Sequence, residues 1–358
     1  MKVLILAPYP KRQSPNQRFR FEQYLDAFAA AGIEYDYRPF WTDDVWKIFY
    51  QPGHLVKKTR GLLKGIRKRI ALLAGLNKYE FVFIHREGLP IGPPVLEFMI
   101  STVWGKKIIY DFDDAIWIRN YSEANKGVAR FLKFHRKVKA ICRMSHRIST
   151  GNHFLADFAR RYNKNVVIIP TTIDTENHHN QLKQISDNGK LVVGWTGTHS
   201  TLAQLRQVED QLKQVQQEID FELQVICNQD PKFEEVSYRY IPWNGDTEIE
   251  DLLKFDIGIM PLKNSDWERG KCGFKALQYM SLGIPVIASE VGANCEIVEH
   301  NKSGILISPD EPEQWVVWLG KLLQNPDLRE KLGMVGRKRV EQNYSVNSNK
   351  EKYLQLFT

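Results

Sequence analysis

Lys271 and Lys275 bracket the small pair Cys272-Gly273, so two cations and a flexible backbone meet at one point of the chain. The apolar residues Phe274, Leu277, Tyr279 and Met280 then recur at helical spacing until Gly283, which predicts a helix beginning near Gly273. The first turn of such a helix exposes backbone N–H groups, here beside two lysines and a glycine that lets a ligand approach closely. This is the chemistry of diphosphate binding, and a strand over residues 284–289 follows at once.

The whole string over residues 269–298, RGKCGFKALQYMSLGIPVIASEVGANCEIV, resembles the donor-binding signature of retaining GT-B glycosyltransferases, specifically glycosyltransferase family 4. That family's helix carries Leu-Glu-Ala-Met, and the same slots hold Leu277, Gln278, Tyr279 and Met280. The family's Gly-x-Pro-Val-x-Ala-Ser follows as Gly283, Pro285, Val286, Ala288 and Ser289, and Gly292 and Glu296-Ile297-Val298 also match. Two glutamates of the family pattern are replaced by Gly270 and Gln278, so a sugar contact must come from elsewhere, with Asp266 and Glu268 the nearby candidates.

The resemblance implies an α/β, GT-B architecture: two Rossmann-like domains facing across a cleft, with a C-terminal helix crossing back to the first domain. It implies a nucleotide diphosphate sugar as donor, no cofactor and no metal, and retention at the anomeric carbon. Lys271 and Lys275, with the N–H groups near Gly273 and Phe274, would neutralise the leaving diphosphate, and Glu296 would lie near the ribose. Family members also carry an arginine and a lysine where this chain has Thr198 and Ala203. That duty then shifts to Lys271 and Lys275, helped by His199, Arg18 or Arg20.

The elements that would position these residues are legible as alternating strand-like and helical runs, the pattern of parallel sheets covered on both faces. Strands are expected at 3–7, 34–40, 81–84, 107–112, 147–150 and 166–169, and again at 191–195, 221–226, 238–241, 256–260, 284–288 and 304–307. The polar, nonperiodic stretch 170–189 separates the series, giving an acceptor-side domain over 1–172, a donor-binding domain over 173–340 and a terminal helix segment over 341–358. In open α/β sheets ligands bind beyond the carboxyl ends of strands, so the loops there are the places to search.

The long loop after the first strand supplies Arg18 and Arg20. The third strand delivers His85 and Arg86, and the fourth Asp111, Asp113 and Asp114. Asp113 counts with the two lysines as a catalytic candidate, and Asp113 and Asp114 fit acceptor binding or loop structure better than a metal. Asp111, inside its strand, reads as a buried hydrogen-bonding residue. Gly197, Thr198 and His199 run from strand to helix without GxGxxG, which argues against a nicotinamide cofactor. The pair His178-His179 lacks a carboxylate at ligand spacing.

A chain of 358 residues with 43% hydrophobic content suits two soluble α/β domains. The four cysteines form no CxxC and read as reduced thiols in a cytosolic protein. The net charge of +8 is uneven: Lys57, Lys58, Arg60, Lys64, Arg67, Lys68 and Arg69 interleave with apolar residues over 55–73. Such a segment suits an anionic membrane surface or a solvated face packed on the core, and no nucleic-acid motif accompanies it. The sequence therefore reads as a glycosyltransferase taking a saccharide or lipid-linked saccharide acceptor in surface polysaccharide or lipopolysaccharide assembly, cytoplasmic and peripheral on the inner face of the membrane. Alternatives from the same motifs are a nucleotide-sugar epimerase and a noncatalytic nucleotide-sugar-binding subunit.

Overall fold

The structure is a computed structural model that describes residues 1–49, 51, 53–118, 134–184 and 189–358. Part of the expected interdomain connector, 185–188, lies outside the described residues. The chain divides into two compact units, one comprising Met1–Thr171 with Lys350–Thr358 and the other Thr172–Asn349.

Each unit is built on a six-stranded parallel sheet. The first contains β1 (Lys2–Ala7), β2 (Glu34–Pro39), β3 (Phe81–His85), β4 (Lys107–Phe112), β5 (Arg147–Thr150) and β6 (Val166–Ile168), in the order β2-β1-β3-β4-β5-β6. The second contains β7 (Val192–Thr196), β8 (Glu222–Cys227), β9 (Tyr238–Pro242), β10 (Ile257–Met260), β11 (Val286–Ser289) and β12 (Ile305–Ile307), in the order β12-β11-β10-β7-β8-β9. Strands such as VLILA in β1 and VIAS in β11 are buried throughout rather than alternately, because helices cover both faces of a parallel sheet.

In both sheets the strand order reverses beside the first strand of the unit. The switch points fall between β1 and β3 and between β7 and β10, and the loops beyond their carboxyl ends form the crevice where such sheets bind ligands.

The chain's last residues complete the first unit. Tyr353 is fully buried with its ring 4.1 Å from that of Tyr24, and Phe357 meets Phe28 edge-on at 5.1 Å. Arg147 donates to the Gln355 carbonyl. The helix carrying Tyr353, Val346–Leu354, follows the long helix Pro326–Asn343 after a break at Tyr344-Ser345.

Candidate functional site

In the second unit, the helix Phe274–Ser281 begins directly after Gly273, which takes a left-handed conformation at φ 65°. A Cβ there would lie 2.2 Å from Ile297 Cδ1, so only glycine permits this turn. The loop after β11 is drawn in at the same place: a Cβ on Gly292 would sit 2.7 Å from the Arg269 backbone. The loops following β10 and β11 therefore close on each other at the start of the helix, beside Lys271 and Lys275.

Lys275 points towards β7. Its Nζ lies 5.0 Å from the centre of the Trp195 ring and 3.3 Å from Gln204 Oε1, on the helix that follows β7. The protein strips water from this half-buried ammonium and the charge of Lys271 repels it, which together lower its pKa to about 7. An anion arriving there would be attracted by two cations and helix N–H groups at once. Lys271 Nζ lies 5.2 Å over the Trp267 ring.

Gly197, Thr198 and His199 follow β7, on the other side of the switch point. Thr198 caps the short turn His199–Thr201 in a reciprocal bond with Thr201, and His199 is held by Asn228, whose Oδ1 accepts from its backbone N–H at 2.7 Å and whose Nδ2 lies 3.1 Å from its Nδ1. Asp266 is exposed and pairs with Arg269 Nη1 at 3.4 Å, while Glu268 accepts from Ser265 Oγ. Glu296 lies on the short helix Asn294–Ile297, and its carbonyl accepts from Tyr344 Oη and Arg339 Nη2, each at 2.8 Å. Gln278, in a family glutamate slot, is buried and donates to Glu248 Oε1 at 3.3 Å.

Four residues of this neighbourhood carry no signal in the sequence. Trp195 and Gln204 border Lys275, Asn228 fixes His199, and Asn294 turns a buried Oδ1 towards the Gly273 turn with no hydrogen-bond partner among the described residues. Only the fold reveals them, since Trp195 in β7 and Gln204 on the helix after it, Asn228 after β8 and Asn294 after β11 come from separate stretches of the chain.

In the first unit the register of β3, β4 and β5 aligns His85, Asp111 and Ser149 across three neighbouring strands. Asp111 accepts from His85 Nδ1 at 2.7 Å and from Ser149 Oγ at 2.7 Å, and pairs with the Arg20 guanidinium. Burial pushes the Asp111 carboxyl up, but Arg20 and His85 overcome it and hold its pKa well below the carboxylate range. Arg20, expected in the ligand loop, is instead fully buried, donating also to the Ile169 carbonyl and to Ser149 Oγ at 3.1 Å. It cannot present its charge to a diphosphate without breaking that network. His85 is likewise buried, with Nε2 3.9 Å from Asp113 Oδ1.

Arg86 has a left-handed backbone at φ 61°, and its side chain is clamped by Asp113, 2.8 Å from Nε, and by Asp114. Desolvation lowers the Arg86 pKa, but the two aspartates raise it well above its ordinary value, while Arg86 keeps Asp113 ionised despite burial. Arg86, Asp113 and Asp114 thus form an internal ion cluster rather than a set of independent acid and base groups. Arg18 is half-buried on the helix Pro15–Arg18, its guanidinium 4.6 Å over the Phe19 ring. Among the described residues no three His, Cys, Asp or Glu side chains gather as metal ligands.

Residues 190–325 match the family model described as glycosyl transferases group 1. The chain is similar to D-inositol 3-phosphate glycosyltransferase of Jonesia denitrificans, 33% identical over 105 residues that span 29% of this chain and 24% of that protein. It is also similar to spore coat protein SA of Bacillus subtilis, 33% identical over 79 residues, 22% of this chain and 21% of that one. Among solved structures, sucrose-phosphate synthase from Thermosynechococcus elongatus superposes with a TM-score of 0.71 at 14% identity, covering 100% of this chain and 98% of that one. Anabaena Alr3699/HepE, solved in complex with UDP and glucose, superposes with a TM-score of 0.66 at 14% identity, covering 99% and 98%. The fold is GT-B, and the group 1 match lies on the unit that carries Lys271 and Lys275.

Proposed function

We propose that this protein is a retaining, metal-independent glycosyltransferase that moves a sugar from a nucleotide diphosphate sugar to a hydroxyl acceptor. The observation that carries this reading is Lys275, held with Lys271 at the start of the helix Phe274–Ser281 and reaching towards the β7 loop at the switch point of the second sheet. In the transfer the bond from the anomeric carbon to the leaving phosphate oxygen breaks and the acceptor oxygen bonds on the same face. The acceptor proton passes to the departing phosphate, so no separate base residue is required. Negative charge grows on that phosphate as the bond lengthens, and preorganised lysines and N–H groups stabilise it more than they stabilise the bound donor.

Gly197, Thr198 and His199 would line the nucleotide from the β7 side, Asp266 and Glu268 would border the sugar, and Glu296 would accept from the ribose. The acceptor would be a saccharide or lipid-linked saccharide in surface polysaccharide or lipopolysaccharide assembly, met by the protein in the cytoplasm at the inner face of the membrane. UDP in the Anabaena structure motivates testing that nucleotide first.

Thermal unfolding in the presence of UDP-, GDP-, ADP- and dTDP-sugars tests the donor site, since a ligand at a hundred times its Kd adds about 2.7 kcal/mol. A shift with one nucleotide series identifies the donor. Absence of a shift with all four removes the diphosphate assignment. A noncatalytic donor-binding subunit is the second reading, favoured by Gly270 and Gln278 in the family's glutamate positions. It would give the shift without transfer or slow donor hydrolysis, whereas an epimerase would convert the donor with no acceptor present.

A further inference from the structure

The helix Leu55–Leu73 has two faces that differ in what they touch. One packs inward: Gly65 and Arg69 are buried, and Leu62 and Ile66 lie against the cluster of Phe40, Trp41 and Val45. A Cβ on Gly65 would fall 2.7 Å from the Phe40 ring, so the helix axis approaches the body of the unit as closely as glycine allows. Arg69 fixes the depth, its guanidinium donating to the carbonyls of Ala7, Arg38 and Gly88.

The opposite face carries Val56, Leu63 and Ile70, which are 75%, 62% and 60% exposed, and Leu55 at the first turn is 76% exposed. Seven residues are close to two helical turns, so Val56, Leu63 and Ile70 form one row about 21 Å long on the outside of the helix. The same helical geometry sets Arg60 and Arg67 directly beside that row, and Lys57, Lys64 and Lys68 beyond them. These five cations are all exposed, and the helix contains neither Asp nor Glu.

We propose that this outer face is a membrane-docking surface, with the Val56-Leu63-Ile70 row entering the acyl boundary and Arg60, Arg67 and the lysines meeting anionic lipid headgroups. An apolar row edged by cations on an anchored helix is what an interfacial helix requires. The charge selects this occupant over others. A second copy of the chain would bring five further cations against these five with no carboxylate on the helix to answer them. A nucleic acid would engage the cations but leave the apolar row without a partner. The proposal deepens the membrane location offered above and rests on that reading only for the leaflet; the helix geometry stands without it.

The test is co-sedimentation of the full chain with vesicles of phosphatidylcholine alone and of an equal mixture of phosphatidylcholine and phosphatidylglycerol. Binding is expected to the mixed vesicles and to fall with added salt. Replacing Arg60→Gln or Arg67→Gln should weaken it about fivefold per charge. The triple variant Val56→Ser, Leu63→Ser, Ile70→Ser should weaken it about tenfold or more. All these side chains lie off the packed face, so unchanged thermal unfolding serves as the folding control. No binding to mixed vesicles overturns the proposal, as does equal binding by the triple variant, equal binding to phosphatidylcholine alone, or a dimer that the triple variant abolishes. RNA binding without vesicle binding overturns it too. Lys275→Ala should bind vesicles as the parent does, so loss of the donor site and loss of the membrane face are separately visible.

Discussion

Lys275 predicts how donor affinity should depend on pH. With its pKa lowered to about 7, this ammonium is partly neutral near neutrality in the empty site. A diphosphate bound beside it favours the charged form, so binding must draw a proton from solvent. If the complex holds Lys275 fully protonated, the uptake is about 0.9 proton at pH 8, and Kd rises about fifteenfold between pH 7 and pH 8.5. The donor's diphosphate is esterified at both ends and does not titrate in that range, so the lysine dominates. Calorimetry in buffers of different ionisation enthalpy reads the uptake directly. The empty protein moves the other way: a lysine whose folded pKa lies below its ordinary 10.5 costs stability when charged, and that cost fades as pH rises from about 7 towards 10.5. Lys275→Arg stays charged throughout and should bind with a flat profile. A flat profile and no proton uptake in the parent protein would refute the placement of Lys275 against the diphosphate.

Three further outcomes follow from named contacts. Lys275→Ala should lower turnover roughly ten- to a thousandfold in a donor-saturated assay, the loss expected for one contact to developing charge, and unchanged turnover removes it from the mechanism. Arg69→Met should destabilise the first unit by about 3 kcal/mol or more in urea unfolding, because three guanidinium bonds to the carbonyls of Ala7, Arg38 and Gly88 are lost, although Ala7 keeps its bond from the Phe40 N–H; a loss within ~0.5 kcal/mol would mean that water replaces the guanidinium freely. Tyr353→Ala should cost about 3–5 kcal/mol by the same measurement, since its ring fills the space against Tyr24 and Phe28. A smaller cost would show the terminal helix to be weakly bound to the first unit.

The fold was legible because parallel strands buried on both faces write themselves as unbroken apolar runs. VLILA at β1 and VIAS at β11 cannot be mistaken for surface, whereas the return of the terminal segment to the first unit was expected only from the family resemblance, and the structure seats it through Tyr353 against Tyr24 and Phe357 against Phe28. The loop after β1 was harder. Its Pro15–Arg18 turn folds as a helix where a plain loop was expected, since Pro15 stands at its first position and needs no N–H partner.

Arginines and lysines divide in a way the sequence does not announce. Arg20, Arg69, Arg329 and Arg337 all donate to main-chain carbonyls, and Arg20 also pairs with Asp111. A guanidinium can do this because its planar fork satisfies several carbonyls at once, whereas an ammonium offers a point charge that suits a phosphate or open water. Reading Arg20 as a ligand residue followed from its loop; its burial follows from β4 and β5, which place Asp111 and Ser149 side by side 91 and 129 positions away. Lys271 and Lys275 lie instead at the helix start, where the Gly273 turn places them and the Trp267 and Trp195 rings flank them. Of the cations carried by strand-end loops, the fork of Arg20 is therefore drawn in between β4 and β5, while Lys275 stays at the helix start, where the proposed diphosphate would need it.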